Sequence, residues 1–107
     1  MVCKKYQLST GYENCIFDNI ENGNYGLAFG SGLAAIDAVV KLLKPGDEVI
    51  STNDLYGGTY RLFTKIYEAF GIKFHFIGME NATKVESYIN NNTKLIWVET
   101  PTNPMLN

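Results

Sequence analysis

The chain has 107 residues, 46% of them hydrophobic and 19% charged, with a formal net charge of -2. That length holds one small domain at most, and the composition is that of a globular segment able to bury a core. Acidic and basic residues are spread along the chain, so no basic stripe points to nucleic acid and no acidic tail to a binding arm. Cys3 and Cys15 lack His or Cys companions at metal-ligand spacing, and they are too few for a disulfide framework. No metal centre is expected, and a reduced, cytoplasmic setting is. Met1-Val2-Cys3-Lys4-Lys5 leads into polar residues, and no apolar run reaches membrane-spanning length, so neither export nor insertion is expected. Asn81-Ala82-Thr83 and Asn91-Asn92-Thr93 match the glycosylation sequon, but without an export signal they read as solvated turn residues.

Residues 1 to 10 carry no clear pattern, and a helix over Glu13 to Glu21 is expected to lean on the sheet. Tyr25 to Phe29 is a short apolar run that reads as a strand. Leu33, Ile36, Val40 and Leu43 then fall on one helical face, and Lys44-Pro45-Gly46-Asp47 supplies a stop and a turn. Glu48 to Thr52, rich in β-branched residues, predicts the next strand. From Tyr60 to Phe70 the spacing predicts a helix with Leu62, Phe63, Ile66 and Phe70 on one stripe, capped by Gly71. Lys73 to Ile77 alternates as a strand, Lys84 to Ile89 reads as a short helix ended by Asn90-Asn91-Asn92, and Leu95 to Val98 reads as a buried strand. Strands alternating with helices imply an α/β fold with parallel pairing and right-handed crossovers. A four-stranded parallel sheet of this extent would leave its edges uncovered, so the domain is expected to be truncated and to continue in a longer parent or pair with another subunit.

The segment Leu27-Ala28-Phe29-Gly30-Ser31-Gly32-Leu33-Ala34-Ala35 sets small residues between the end of a strand and the start of a helix. Free backbone amides and the positive end of the helix dipole converge at such a turn, and glycine lets phosphate oxygens approach the main chain. A phosphorylated ligand is one reading, and a tight βα turn with no ligand is the plain alternative. Gly30-Ser31-Gly32-Leu33-Ala34-Ala35 also satisfies G-x-G-x-x-A, with Asp54 placed about where a ribose-binding acid would stand, so a dinucleotide module is a rival.

Four segments stand in continuous order: Tyr25-Gly26-Leu27-Ala28-Phe29-Gly30-Ser31-Gly32, Leu43-Lys44-Pro45-Gly46-Asp47-Glu48-Val49-Ile50, Asp54-Leu55-Tyr56-Gly57-Gly58-Thr59-Tyr60-Arg61, and Trp97-Val98-Glu99-Thr100-Pro101-Thr102-Asn103-Pro104. Together they resemble the trans-sulfuration family of pyridoxal phosphate-dependent enzymes, which includes the cystathionine γ-lyases and γ-synthases. The resemblance covers residues 13–107 as part of the large, cofactor-binding domain and leaves 1–12 as a divergent segment. It implies a three-layer α/β fold with the mostly parallel sheet of fold-type I transferases. Its cofactor would be pyridoxal 5'-phosphate, its substrate a sulfur-containing amino acid cleaved or exchanged at a carbon-sulfur bond, and its parent a homo-oligomer, dimer or tetramer. Under this resemblance Gly32 and Leu33 give backbone amides to the cofactor phosphate. Tyr56 stacks over the pyridine ring and takes a catalytic part in moving a proton at the substrate amine. Asn103 hydrogen-bonds the phenolic oxygen, while Glu99 and Arg61 fall on family-like positions without an assigned role. The plain alternatives are a buried tyrosine at a helix start, a turn asparagine, a strand-end acid and a solvated arginine.

Two further groups that the family uses are expected beyond residue 107: the lysine that forms a Schiff base with the cofactor and the acid beside its pyridine nitrogen. Thr64-Lys65, Thr83-Lys84 and Thr93-Lys94 lack the serine of the family's Ser-x-Thr-Lys signature and precede Glu99-Thr100-Pro101, so they read as surface lysines. The family's upstream Tyr-Ser-Arg stretch has no counterpart in Lys4-Lys5-Tyr6-Gln7-Leu8-Ser9-Thr10. His75, between Phe74 and Phe76, reads as an exposed or hydrogen-bonded strand histidine with no nameable catalytic partner. A noncatalytic partner of full-length family subunits is the remaining alternative.

Overall fold

A computed structural model of the chain describes Leu27 and residues 29–100. The expected helix at 13–21 and Asn103 lie outside these residues, as does most of the expected strand at 25–29, of which Leu27 and Phe29 are described and belong to no strand. Three strands are described: β1 (Glu48–Thr52), β2 (Lys73–Ile77) and β3 (Thr93–Trp97). They pair in parallel in the order β2-β1-β3, as the alternation of strands and helices predicts. β1 holds the centre, with Val49, Ile50 and Ser51 wholly buried, as a strand flanked on both edges and covered on both faces must be.

Which helix covers which face is decided by register. Val49 stands level with Phe74 and Leu95, and Ser51 with Phe76 and Trp97, so these side chains share one face of the sheet. On that face Phe63 stacks on Phe74 at 4.5 Å between ring centroids and meets Trp97 edge-on at 5.8 Å, and it belongs to the helical run that begins with α2 (Gly57–Leu62). On the opposite face His75 lies 5.6 Å from the ring of Tyr88, in α3 (Ala82–Tyr88). Two right-handed crossovers, one stepping from β1 to β2 and the next returning past β1 to β3, require their helices on opposite faces. The ring contacts put them there.

The turn into β1 is closed twice. Asp47 Oδ2 accepts from the Lys44 amide at 2.8 Å, and the Gly46 amide donates to the Gly71 carbonyl at 2.8 Å. Gly46 and Gly71 sit at φ of 94° and 87°, a region costly to any residue with a Cβ. Beside the start of β1, the register of β3 carries an irregularity: Glu48 pairs with Thr93 and Val49 with Leu95, leaving Lys94 as an extra residue.

The helix expected over 60–70 differs from its prediction. It begins at Gly57, passes into a π-helical turn over Phe63–Tyr67 and ends in a 3-10 turn over Glu68–Phe70, with Gly71 as the left-handed cap. The wider π turn holds more residues per turn than an α-helix, so the buried stripe slips. Leu62 and Phe63 are buried as expected, but Tyr67 takes the next inward place while Ile66 is 47% and Phe70 65% exposed. The preceding helix, α1 (Gly32–Val40), also stops short of the predicted Leu43, tightening into three-residue turns at Leu42 and Leu43. α3 starts two residues early because Asn81 caps it, accepting from the Thr83 amide at 2.9 Å.

The described residues divide into two units, one ending at Ala38 and the other beginning at Val39. The sheet and its two crossovers belong to the second. Among the described residues no helix is long and apolar enough to cross a membrane.

Candidate functional site

In an open parallel sheet, ligands sit beyond the carboxyl ends of strands where the connections diverge to either side. With order β2-β1-β3, that place lies between the ends of β1 and β3. Two of the segments singled out in the sequence meet there: Asp54-Leu55-Tyr56-Gly57-Gly58-Thr59, after β1, and Trp97-Val98-Glu99, at the end of β3.

Tyr56 is the residue before α2, with non-helical backbone (φ -53°, ψ 132°) and no side-chain cap of its own. Its ring is 56% exposed and lies against Gly58: a Cβ built on Gly58 would fall 2.5 Å from Tyr56 Cε1 and 3.1 Å from Cδ1. The absence of a side chain at 58 is therefore what leaves this ring its place.

Glu99 ties the segments together. Its Oε2 accepts from the Tyr56 amide at 2.9 Å, while Oε1 accepts from the Thr59 hydroxyl at 2.7 Å and from Trp97 Nε1 at 3.2 Å. A carboxylate at the start of a helix meets unsatisfied N–H groups and the positive end of the helix dipole, where an anion is favoured. Thr59 is wholly buried and Trp97 nearly so, which gives these bonds a drier setting than a surface carboxylate has. Close by in the chain, Thr52 Oγ1 and Asp54 Oδ2 are buried without a hydrogen-bond partner. Unsatisfied buried oxygens at a strand end are uncommon and suit a site that awaits a donor.

Gly32 and Leu33 are the first two residues of α1, so their N–H groups have no carbonyl one turn earlier to bond. Ser31 caps the same helix, its Oγ accepting from the Ala34 amide at 3.1 Å. A Cβ at Gly30 would meet nothing within 4 Å, leaving that side of the turn open to an anion. These residues belong to the first unit and Tyr56 and Glu99 to the second. Arg61 is an exposed residue in the last turn of α2.

A second polar cluster gathers at the amino end of β1. Glu48 Oε2 lies 2.7 Å from His75 Nε2 and accepts from Asn90 Nδ2 at 2.8 Å, and Lys73 Nζ stands 4.0 Å from Oε1. The Asn90 hydrogen bond, then that of His75, hold the Glu48 carboxyl below the usual carboxylate range, with burial opposing and the Lys73 charge assisting. His75 is thus a hydrogen-bonded strand histidine, as its position predicts. Its partner was not legible, because nothing local says that Glu48 stands beside it. The same holds for Thr59 and Glu99: a strand-end acid was visible, its grip on Tyr56 was not. Among the described residues no group of three or more His, Cys, Asp and Glu side chains gathers as a metal site would.

Residues 12–107 match the profile of the family described as Cys/Met metabolism PLP-dependent enzymes. The Bacillus subtilis protein named cystathionine gamma-synthase/O-acetylhomoserine (thiol)-lyase is 50% identical over 82% of this chain and 24% of its own length. The Coxiella burnetii cystathionine beta-lyase is 43% identical over 89% of this chain and 24% of its own. Among solved structures, cystathionine gamma-lyase from Lactobacillus plantarum, complexed with L-serine, superposes with a TM-score of 0.86 at 34% identity, covering 100% of this chain and 32% of that one. The chain thus spans about a quarter of the length of these curated relatives.

Proposed function

Because the chain belongs to the Cys/Met metabolism PLP-dependent enzymes, we propose that it forms the part of a trans-sulfuration enzyme that holds pyridoxal phosphate, for action on a carbon-sulfur bond of an amino acid. The observation that carries the proposal is the half-exposed Tyr56 ring, laid on a glycine at the divergence of β1 and β3 and tied by its backbone to Glu99. An exposed aromatic face of this kind suits a flat, electron-poor ring. The unpartnered oxygens of Thr52 and Asp54 at the end of the same strand fit a polar ligand there.

When bound, the cofactor draws electron density from the bonds at the substrate's α carbon. The chain's own residues bind and orient. By the family resemblance the amides of Gly32 and Leu33 would hold the phosphate, as first-turn N–H groups can. Tyr56 would cover one ring face, with its phenol oxygen able to hold a proton near the substrate amine. By the family resemblance Asn103, outside the described residues, would donate its side-chain amide to the phenolic oxygen.

In this proposal covalent attachment falls to none of the four lysines set on β2, β3 and the helical segments that follow β1. Lys73 opens β2 and Lys94 is the second residue of β3, both at the amino ends of strands and away from Tyr56, while Lys65 and Lys84 ride on helical segments. Incubation with pyridoxal phosphate, borohydride reduction and mass spectrometry test this. The expected result is saturable, reversible quenching of the single tryptophan, Trp97, with no pyridoxyl-lysine. Stoichiometric labelling of one lysine would refute the assignment, and saturable quenching by NAD alone would favour a dinucleotide module. Ile96, in the outer strand β3 of the described sheet, and Val98, just past its end, are 46% and 49% exposed and favour a second role as a noncatalytic partner of full-length family subunits. A shared peak with a coexpressed full-length homologue in size-exclusion chromatography would support that role.

A further inference from the structure

We infer that Glu99 is a positioning residue that sets the place of the Tyr56 ring. This rests on the reading of Tyr56 as the face that receives the cofactor ring.

The first turn of α2 lacks a cap of its own, since no side chain at position 56 bonds into it. The acceptor comes from 43 residues further along the chain, where Glu99 leaves the end of β3. Its two oxygens take both sides of the turn: Oε2 the amide of Tyr56 at 2.9 Å, Oε1 the hydroxyl of Thr59 at 2.7 Å. Hydrogen bonds to an ionised carboxylate are shorter and stronger than neutral ones, and two of them on residues three apart fix both the position and the tilt of the turn between. The third donor, Trp97 Nε1 at 3.2 Å, keeps the carboxylate from swinging, and Trp97 is itself braced edge-on by Phe63. A chain of contacts therefore runs from the aromatic core under the sheet, through Trp97 and Glu99, to the backbone of Tyr56.

From that backbone the ring lies beside Gly58, where a Cβ would crowd it. The side chain of Tyr56 has no hydrogen bond capping the helix and is more than half exposed, so its direction depends on where its own main chain is held. Glu99 does not need to touch the cofactor for this. It acts through Tyr56, and Thr59 shares the work.

Glu99→Gln keeps the shape but not the charge; whichever way its amide is turned, the NH2 faces a donor, either Trp97 Nε1 or the Tyr56 amide, so one of the three bonds is lost and those that remain are no longer charge-assisted. The first readout is the nuclear Overhauser contact between the Tyr56 ring protons and the Gly58 Hα. It is expected in the unaltered chain and lost or much weakened in Glu99→Gln, while the Phe63–Phe74 contact stays. Persistence of the Tyr56–Gly58 contact in Glu99→Gln would overturn the inference. Should Glu99→Gln fail to fold, Thr59→Val is expected to weaken the same contact and Thr59→Ser to restore it; a contact unchanged in Thr59→Val overturns the inference equally. The second readout is a double-substitution cycle on pyridoxal phosphate affinity, followed by titration calorimetry. Glu99→Gln is expected to raise Kd about tenfold in the native background and to have no further effect once Tyr56→Leu has removed the ring. An equal loss in both backgrounds means that Glu99 acts otherwise than through Tyr56. If the unaltered chain binds no pyridoxal phosphate, the proposed function falls, and the ring contact still decides the positioning role.

Discussion

Gly58→Ala separates folding from ligand binding at this site. The alanine Cβ would stand 2.5 Å from Tyr56 Cε1, 3.1 Å from Cδ1 and 3.4 Å from Cζ. Carbon atoms rest about 3.5–4.0 Å apart, so the ring must retreat by about 1 Å. The ring is the free end of a side chain that is 56% exposed, so it can turn away for a rotamer cost of about 0.5–1.5 kcal/mol. Against this, alanine in a helix is favoured over glycine by up to about 1 kcal/mol. The two contributions nearly cancel, and urea unfolding followed by Trp97 fluorescence should show a change within about 1 kcal/mol of zero. Ring stacking is a different matter. An aromatic pair is worth about 0.5–1.5 kcal/mol beyond its buried area, so misplacing the Tyr56 face should weaken pyridoxal phosphate binding roughly two- to twelvefold. Unchanged affinity in calorimetry, or a stability loss well above 1 kcal/mol, would refute the reasoning.

Phe63→Ala should cost about 3–5 kcal/mol in urea unfolding, because the ring is wholly buried between Phe74 and Trp97; a loss under 1 kcal/mol would mean that the three rings do not form one core. Gly71→Ala should cost about 1–2 kcal/mol, since the position needs φ of 87° and its Cβ would press to 3.3 Å from that of Pro45; a neutral result would place Gly71 in another conformation. Glu48 titrates lower in the folded chain than when unfolded, so the stability it contributes is present above its ordinary carboxylate pKa and lost as pH falls through its folded value. Melting temperature should therefore fall on acidification across that window, and less steeply in Glu48→Gln, whereas parallel profiles would remove Glu48 as the cause.

Where the fold was legible in the sequence, local chemistry decided it. The ends of β1 and β2 coincide with the predicted Glu48–Thr52 and Lys73–Ile77 because Pro45-Gly46-Asp47 and Gly71 bracket short runs of β-forming residues. The helical run after β1 departs from its sequence pattern at Ile66 and Phe70 for the opposite reason. Its α-helical period holds only as far as Leu62, after which Phe63, wedged between Phe74 and Trp97, and the buried Tyr67 demand a wider turn. Both partners of Phe63 come from other strands, so no window of sequence around it carries the signal. β3 likewise begins two residues before its apolar run, at Thr93, where Thr93 Oγ1 accepts from the amide of Asn90 and Glu48 donates its amide to Asn92.

The site divides along the same line. A glycine turn before a helix and a tyrosine before two glycines are local patterns, and each could be singled out from its neighbours alone. The union of Tyr56 with Glu99 could not, because it depends on β3 lying beside β1, past a strand that comes between them in the chain. It depends equally on register. Ser51 stands level with Trp97, and continuing the pairing brings Glu99 level with Asn53, just short of the helix it caps. A slip of one residue would carry the carboxylate about 3.3 Å along the strand and turn it to the other face, far beyond the reach of bonds of 2.7 and 2.9 Å. The irregularity at Lys94, which absorbs one residue at the start of β3, lies upstream of that register, so the irregular start and the placing of Glu99 beside Tyr56 are parts of one constraint.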